Sequence, residues 1–252
     1  MKESAEIKVK SLQKAMEILN CFTRKQPLGV TEISEMLGLY KSNVHNVLTT
    51  FKALEYLEQD EESGKYRLGS SVFYLCRALG DSFGILDIAL PYMQEIVKQV
   101  GEIVYLGVPH GDEVIYLEAV YPEESVFLKR SLMGERCKMY CTGIGKAMMS
   151  KLPKELIEEY CSRPLVALTE YTITDKQQLK EQLQLANERG YALDNMELEF
   201  GVKCVGVPIL NAKGEVEAGM SITCPSLRME DARIQELADI LKYYAKVIQQ
   251  RM

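Results

Sequence analysis

The sequence predicts an α+β protein with two domains: a small amino-terminal helical domain closed by a β-hairpin, and a larger domain of mixed strands and helices. Two short amphipathic helices lie within residues 30–57, on either side of a glycine-containing turn. A hairpin pattern follows them, and from residue 102 onward β-branched and aromatic runs alternate with turns and helices. With 252 residues, the chain is longer than most single compact domains. We therefore expect domains at residues 1–70 and 101–252, joined by a helical linker at 71–100.

The two helices have the spacing of a helix-turn-helix. The first runs from about Thr31 to Leu37, and Gly38 ends it because glycine tolerates a positive φ angle. Apolar residues recur at steps of three and four along the second helix, at Val44, Val47, Leu48, Phe51 and Leu54. Its opposite side carries Ser42, Asn46, Thr49 and Ala53, flanked by His45. That side is polar, small and nearly uncharged, which is typical of a helix that reads base edges in DNA.

A plain helical hairpin would show the same pattern, because helix-turn-helix patterns are common by chance. The neighbouring segments favour DNA binding. Residues 56–59 and 65–68 are predicted strands joined by a tight turn. Upstream, Ser11 can cap a helix that carries Leu12, Ala15, Met16, Leu19 and Phe22 on one side. Three helices followed by a hairpin have the order of a winged helix, in which the hairpin lies along the phosphate backbone.

The charge distribution limits how this domain can bind DNA. The formal net charge of the chain is −6, and residues 1–72 hold ten basic and ten acidic residues, so the whole excess lies beyond them. Binding must therefore rest on a few placed cations, with weak non-specific affinity and dependence on a dimer. The residues expected to contact DNA are Lys41, Ser42, Asn43, His45, Asn46, Thr49, Lys65 and Arg67.

The linker at 71–100 is predicted to hold two helices with broad apolar faces. The first helix carries Val72, Phe73, Leu75, Cys76 and Leu79. It stops at Gly80, and the second helix starts near Leu86 and ends before Gly101. These faces suit a dimer surface and a plain linker equally well.

Several protein classes are excluded by what the sequence lacks. The start MKESAEIKVK has no apolar core of a signal peptide, and no run of about 18 apolar residues could span a membrane. Seven cysteines scattered along the chain do not make a disulfide framework. We expect a reduced, cytoplasmic protein.

The second domain reads as strands and helices mixed around hairpin turns. Strands are predicted at residues 103–108, 113–120, 126–128, 205–209 and 217–223, and helices at 143–150, 154–161, 179–189 and 234–247. A capping-box pattern at Thr174 opens the third of these helices, and Gly190 closes it.

The whole chain resembles the IclR family of bacterial transcriptional regulators. The segments VTEISEMLGLYKSNVHNVLTTFKALEYLEQD and GKYRLGSSV are similar to the DNA-binding domain of that family. CTGIGKAMMSKLP and the stretch that contains GVKCVGVP are similar to its effector domain. The resemblance implies a winged helix, a GAF-like mixed α/β effector domain and homodimers or homotetramers. It also implies a small-molecule effector, often an organic acid.

The residues before the helix at 146–150 predict an anion site. Thr142, Gly143, Ile144 and Gly145 precede the helix, and amides at a helix start, left bare by two glycines, form a natural carboxylate site. Lys146 does not belong to a phosphate loop, because Tyr140 and Ala147 stand where that motif needs Gly and Ser or Thr. The alternative is that the glycines serve only close packing of the helix on the sheet.

The resemblance implies that Asp194, Cys204, Ser221 and Thr223 complete this site. Ser221 and Thr223 alternate on one strand, so their hydroxyls point to the same side. Leu106, Met148 and Met139 would form an apolar wall, although each also suits an ordinary core, and Asp194 also suits a turn. Such a site would hold a small carboxylate, a hydroxyacid or an oxoacid.

The chain departs from the family pattern at two places. Asn43 and Asn46 stand where many members have Thr and Arg, and because asparagine suits adenine edges we expect an operator rich in A·T pairs. The second departure is Cys137-Lys138-Met139-Tyr140, where members usually read Leu-Pro-Leu-His.

Cys137 and Cys141 could draw on Cys204 and Asp194 for a zinc site, or act as redox sensors, but reduced packing cysteines are the favoured interpretation. We expect no cofactor. We also expect no enzymatic activity, because the motifs of serine hydrolases, zinc proteases and P-loop enzymes are missing. The remaining histidine, His110, lies in a predicted hairpin turn. A small-molecule enzyme or a redox or metal sensor is the alternative function.

Overall fold

The computed structural model describes residues 7–82, 84–123 and 134–252. The chain divides into two compact units, Met1–Phe83 and Gly84–Met252. The strand expected at residues 126–128 lies outside the described residues. In the part of the chain that is described, no helix is both long enough and apolar enough to cross a membrane.

The first unit has the helix, turn, helix and hairpin order that the sequence predicts. Its helices are α1 (Lys10–Cys21), α2 (Val30–Leu37), α3 (Lys41–Ala53) and α4 (Ser70–Ser82), and its hairpin consists of β1 (Leu57–Gln59) and β2 (Tyr66–Leu68). The two strands pair antiparallel. Gly38 ends α2 with a φ of 65°, and its amide bonds the carbonyl of Ser34. Ile33, Val44 and Leu48 are fully buried at the centre of the unit.

The helix α1 packs differently from the sequence-based expectation. It starts after Val9 with no side-chain cap, so the predicted capping role of Ser11 is wrong. Ile18 and Cys21 are its buried residues, Phe22 directly after it is also buried, and Leu12 and Met16 are exposed. The apolar stripe is therefore covered only where the last turn of α1 reaches the other helices.

The segment predicted as a linker is shared between the two units. The helix α4 does not stop at Gly80 but continues to Ser82, and it belongs to the first unit. The helix α5 (Ile85–Val100) belongs to the second unit and ends at Gly101, whose φ is 72°. Ala89, Met93 and Ile96 are fully buried along one side of α5, because this helix packs on the sheet and on the last helix of the chain.

A six-stranded antiparallel sheet organises the second unit. Its strands are β3 (Ile103–His110), β4 (Glu113–Val120), β5 (Arg136–Lys138), β6 (Ala192–Asn195), β7 (Val202–Leu210) and β8 (Val216–Pro225). They lie in the order β5-β4-β3-β8-β7-β6. His110 closes β3 rather than lying in the hairpin turn. The central pair β3 and β8 is distant in sequence, so the order of the sheet depends on the whole domain.

Helices cover both faces of this sheet. The remaining helices are α6 (Gly143–Met149), α7 (Lys154–Ser162), α8 (Lys176–Arg189) and α9 (Asp231–Gln249). Residues of α6, α7 and α8 share one apolar core with Tyr105 and Tyr116 of the sheet. On the other face, α5 contacts β3 and β4, and α9 contacts β7 and β8.

Glycines allow α6 to lie almost on the backbone of the sheet. A methyl group at Gly206 of β7 would lie 2.4 Å from the carbonyl carbon of Gly143. One at Gly219 of β8 would lie 2.7 Å from Cγ1 of Ile144. Close packing of the helix on the sheet therefore accounts for Gly143. The absence of side chains at Gly206 and Gly219 on the strands leaves the space that α6 occupies.

We predict that Gly206→Ala lowers the free energy of unfolding of the second unit by about 1–3 kcal/mol, because the added methyl group overlaps the backbone of α6. Thermal unfolding measured by calorimetry checks this. Gly84→Ala is the matched control, because a methyl group there meets nothing within 4 Å and the φ of −52° suits alanine. Equal unfolding temperatures for the two variants would contradict the packing role of Gly206.

Candidate functional site

The polar side of α3 is presented to solvent. Val44 and Leu48 are fully buried, and this fixes the rotation of the helix. The opposite surface, here called the polar face of α3, consists of Lys41, Ser42, Asn43, His45, Asn46 and Thr49, and all six are exposed. The structure thus brings together every residue of this helix that the sequence predicts to contact DNA.

Hydrogen bonds within α3 occupy two threonine hydroxyls, whereas the amide side chains of the polar face remain available to donate and accept. The Thr49 hydroxyl donates to the carbonyl of His45 at 2.9 Å, and the Thr50 hydroxyl donates to that of Asn46 at 2.8 Å. The hydrogens of these two hydroxyls are therefore engaged with the backbone, and the hydroxyl oxygens can still accept. Asn43 and Asn46 can each still donate and accept, which is the pattern that matches adenine.

Sequence reasoning missed Tyr40, which directly precedes α3. Its side chain is 82% exposed, which is unusual for a large aromatic residue. The position at the start of the second helix of the pair, beside Lys41, was the signal that could have indicated it.

The wing, meaning β1, β2 and the turn between them, carries cations that are already paired. Lys65 Nζ lies 3.0 Å from Glu32, and Arg67 lies 2.9 Å from Glu58. The Lys25 ammonium and the Gly29 amide bonded to Glu32 also help to lower the pKa of that carboxyl to about 2. Exposed ion pairs contribute little free energy, so a phosphate can replace either carboxylate at small cost.

The second predicted site gathers under α6 on one face of the sheet. The strand register aligns Asp194 with Cys204 and Cys204 with Thr223, and it aligns Ser221 with Gly206 and Tyr105. Thr223 donates a hydrogen bond to Cys204 Sγ at 3.1 Å. Residues that were far apart in sequence therefore form one surface, which we call the α6 site: residues 142–145, Asp194, Cys204, Ser221 and Thr223.

The start of α6 is less open than the sequence suggests. Residues 142–145 are all buried, and the Gly145 amide donates to Thr142 Oγ1 at 3.0 Å. A methyl group at Gly145 would lie 2.4 Å from the backbone of Met139. The prediction that both glycines leave bare amides is therefore corrected for Gly145, whose amide is used by the cap; the amides of Gly143 and Ile144 remain the candidates.

One predicted wall residue lies on the wrong face. Leu106 pairs with Met220, one position along from the pair of Tyr105 with Ser221. Because side chains alternate along a strand, Leu106 points away from the α6 site, and its predicted place in that wall is wrong. Met148 and Met139 are fully buried on the α6 side of the sheet, and Met148 packs against Gly219. The apolar walls that sequence reasoning missed are Tyr105 and Tyr116, whose rings meet edge to face with centroids 5.4 Å apart.

A buried ion pair supports α6 from the side. Lys146 and Glu197 form it with side chains that are only 2% and 4% exposed. Asp194 holds the acidic partner in place, since its Oδ1 accepts the Glu197 amide at 2.7 Å. Among the described residues, Glu197 Oε2 has no hydrogen-bond partner. Sequence reasoning missed this pair, and the spacing of three residues from Asp194 to Glu197 was its only local trace.

Burial changes the protonation of the α6 site. Burial raises the pKa of Asp194 to about 7, the positive charge of Lys146 opposes this, and the negative charge of Glu197 adds to it. Burial also raises the pKa of Cys141 to about 12 and that of Cys204 well above its ordinary value. Both thiols are therefore neutral at physiological pH, which makes them hydrogen-bonding groups and poor nucleophiles. In the described ranges, no three His, Cys, Asp or Glu side chains are grouped to hold a metal ion.

Comparison with known proteins decides the family. The model of the IclR helix-turn-helix domain matches residues 11–61, and that of the bacterial transcriptional regulator IclR C-terminal domain matches residues 77–250. The chain belongs to the IclR family of transcriptional regulators. The predicted fold, a winged helix-turn-helix joined to a mixed α/β effector domain, is confirmed.

Relatives in the IclR family match the chain over most of its length. The transcriptional regulator BhcR of Paracoccus denitrificans is 32% identical over 92% of this chain and 83% of its own length. KdgR of Escherichia coli is 31% identical over 97% of this chain and 93% of its own. The crystal structure of IclR from Thermotoga maritima superposes with a TM-score of 0.82, at 30% identity, over 96% of this chain and 98% of its own.

We predict that Asp194→Asn weakens the pH dependence of stability. The Asp194 carboxyl has a folded pKa of about 7, above the ordinary 3.8, so the folded state binds more protons between these values. The contribution of Asp194 to stability therefore falls as pH rises from about 4 to 7 and stays constant above pH 7. Asparagine does not ionise, so the variant lacks this contribution. Unfolding temperatures measured from pH 5 to 8 check this.

Asp239→Asn serves as the control for this prediction. Asp239 is exposed, and its bonds from Lys242 and Gln235 lower its pKa, so it titrates below the measured range. A trend from pH 5 to 8 that is identical in wild type and Asp194→Asn would contradict the assigned ionisation.

Proposed function

We propose that the chain is a homodimeric or homotetrameric regulator whose α3 reads an operator and whose DNA affinity is set by a small organic acid bound at the α6 site. The single observation that carries the proposal is that one chain contains two distinct surfaces, one in each unit. One is an exposed polar helix face beside a wing, and the other is a polar site enclosed between a helix and a sheet. We place its action in the cytoplasm, on double-stranded DNA.

The polar face of α3 supports selective but weak DNA binding. Lys41 is the one cation among its six residues, and the wing cations Lys65 and Arg67 must exchange carboxylate partners for phosphates. Few phosphate contacts mean a shallow salt dependence and low non-specific affinity. Asn43 and Asn46 supply the donor and acceptor pairs that fit adenine, so the preferred operator is rich in A·T pairs.

An exposed apolar segment on α4 supports assembly of two copies. Phe73, Tyr74 and Leu75 are 71%, 67% and 56% exposed in the single chain. Three consecutive large apolar side chains in water are unfavourable, and burial against the same segment of a second copy removes them from water. A dimer also supplies the second recognition helix that a two-part operator needs.

The α6 site supports a small carboxylate, hydroxyacid or oxoacid as effector. Ser221, Thr223 and Cys204 offer hydroxyl and thiol groups, and the amides of Gly143 and Ile144 can donate to an anion. Below pH 7, protonated Asp194 can itself donate to a ligand carboxylate, and Glu197 Oε2 can accept from a ligand hydroxyl. Both ends of a small hydroxyacid thus find partners.

Regulation requires that the effector favour one arrangement of the DNA-binding domains. A ligand changes DNA affinity only through its different affinity for the two arrangements. We place the moving part in α4 and α5, which belong to different units.

A redox or metal sensor and an enzyme are the other candidates. Burial raises the pKa of Cys141 and Cys204, which disfavours thiolate chemistry. We propose that the protein acts without a cofactor. We infer that the α6 site binds without turning its ligand over. Turnover assays with small oxoacids, beside gel shifts on the DNA upstream of the protein's own gene, separate an enzyme from a regulator.

We predict that Asn46→Ala loses preference for A·T pairs in the operator. Removing the amide removes a bidentate adenine contact, which discriminates by about 1–3 kcal/mol. Fluorescence anisotropy against operators with single A·T to G·C changes measures this. Lys41→Gln is the comparison variant: it should weaken binding to all operators alike and reduce the salt slope. An unchanged preference in Asn46→Ala would refute the reading role of Asn46.

We predict that small carboxylates stabilise the wild type in a thermal-shift screen and that Ser221→Ala reduces the response at least tenfold in ligand concentration. The serine lies in the α6 site and loses one hydrogen bond to the ligand. Ser162→Ala is the matched control, because Ser162 is exposed at the end of α7. Equal responses in the two variants would move the effector elsewhere.

A further inference from the structure

A cavity lies in the effector domain beside α7. It encloses about 500 Å³ and is lined from the 3₁₀ turn Met139–Cys141, from α6, α7 and α8, and from the chain that follows α7. None of its lining residues belongs to the α6 site. The volume falls within the range of about 300–1,000 Å³ that small-molecule sites occupy. We call it the Tyr140 cavity.

The floor and walls of the Tyr140 cavity are apolar. Met149 and Leu179 form part of the floor and belong to the buried core. Tyr140 Oη donates to the Val166 carbonyl at 2.7 Å and accepts the Val166 amide at 3.0 Å, and Tyr160 Oη donates to the Gly111 carbonyl at 2.8 Å. Because the hydroxyls are bonded to backbone, the tyrosines offer the cavity their rings and not free polar groups.

The charged groups at the cavity are balanced against one another. Asp112 accepts from Lys138 at 3.2 Å and from Arg163 at 3.1 Å. Each cation has a second acidic partner outside the cavity lining, since Lys138 lies 3.0 Å from Glu113 and Arg163 lies 2.8 Å from Glu159. An ionic ligand would have to displace one of these pairs, whereas a neutral ligand would leave them intact.

Flat groups shape the remaining walls. The Arg163 guanidinium lies over the Tyr160 ring, 5.1 Å from its centroid. The Tyr140 ring is buried and forms part of the cavity lining. Aromatic rings and guanidinium planes attract other aromatic rings through their faces and edges. The mouth keeps Val166 and Leu168 largely exposed to water, and an apolar occupant would cover them.

We propose that the Tyr140 cavity is a second ligand site, separate from the α6 site, that binds a neutral aromatic molecule of one or two rings. A carboxylate would find no unpaired cation among Lys138 and Arg163, whereas an apolar ring gains contact with the apolar floor and walls. This distinguishes the ligand from the organic acid proposed for the α6 site. The proposal does not rest on the identity of that acid.

The test uses indole as probe and the full-length protein. The chain contains no tryptophan, so Leu168→Trp places the only indole side chain of the protein at the mouth. Leu185→Trp is the matched control, because Leu185 is similarly exposed, at 46% against 52%, but lies on α8 outside the lining. We expect emission at shorter wavelength from Leu168→Trp than from Leu185→Trp, since the tethered ring enters the cavity.

Calorimetric titration with free indole completes the test. We expect saturable binding of indole to wild type, Leu185→Trp and Ser221→Ala, and at least tenfold weaker binding to Leu168→Trp. In Ser221→Ala at pH 7, where the α6 site is impaired, we expect benzoate to bind at least tenfold more weakly than indole. Val166→Trp replaces Leu168→Trp if the latter fails to fold. No saturable indole binding to wild type, equal binding to the two tryptophan variants, or loss of binding in Ser221→Ala would overturn the proposal. Tighter binding of benzoate that Leu168→Trp abolishes would overturn the ligand class.

Discussion

The effector domain depends on how closely α6 can approach the sheet. Gly143 on the helix and Gly206 on β7 meet with no space for a methyl group between them. This approach brings Gly143 at the start of α6 against Cys204 of β7, and Thr223 and Ser221 of β8 pair with Cys204 and Gly206 in the same sheet. A larger residue at Gly206 would meet the backbone of Gly143 at 2.4 Å and lift the helix away from the sheet. The same glycine contact therefore holds the packing of α6 and the geometry of the proposed α6 site.

The close approach also encloses charge. Lys146 is carried into the interior on α6 and meets Glu197 from the segment after β6, with Asp194 fixing that acid through its backbone. Removing one partner of a buried pair costs about 3–5 kcal/mol, because the other charge is left without compensation. Two carboxylates face a single ammonium, and burial keeps Asp194 protonated up to about pH 7. Protonation of Asp194 below about pH 7 therefore reduces the negative charge of this buried cluster.

The DNA-binding unit has no net positive charge with which to attract DNA. It has no excess of basic residues, and its wing cations are paired with carboxylates of the same unit. Such a surface gains little from bulk attraction to phosphates, so affinity must come from matched base contacts and from joining two copies. Phe73, Tyr74 and Leu75 of α4 form an exposed apolar segment in the same unit, and it is the surface on which our proposal of a dimer rests.

Local patterns in the sequence determined the helix-turn-helix, the wing and the polar face of α3. The reason is that helical periodicity and the glycine at position 38 act over a few residues. The same patterns placed the helix start at residues 142–145 and the alternation of Ser221 with Thr223. They misplaced Leu106, because the face of a strand is fixed by the register with β8, which lies more than a hundred residues away. They missed the pair of Lys146 with Glu197, which are 51 residues apart, and the Tyr140 cavity, which five separate segments enclose. Contacts of this kind have no local signature, so only the tertiary structure could decide them.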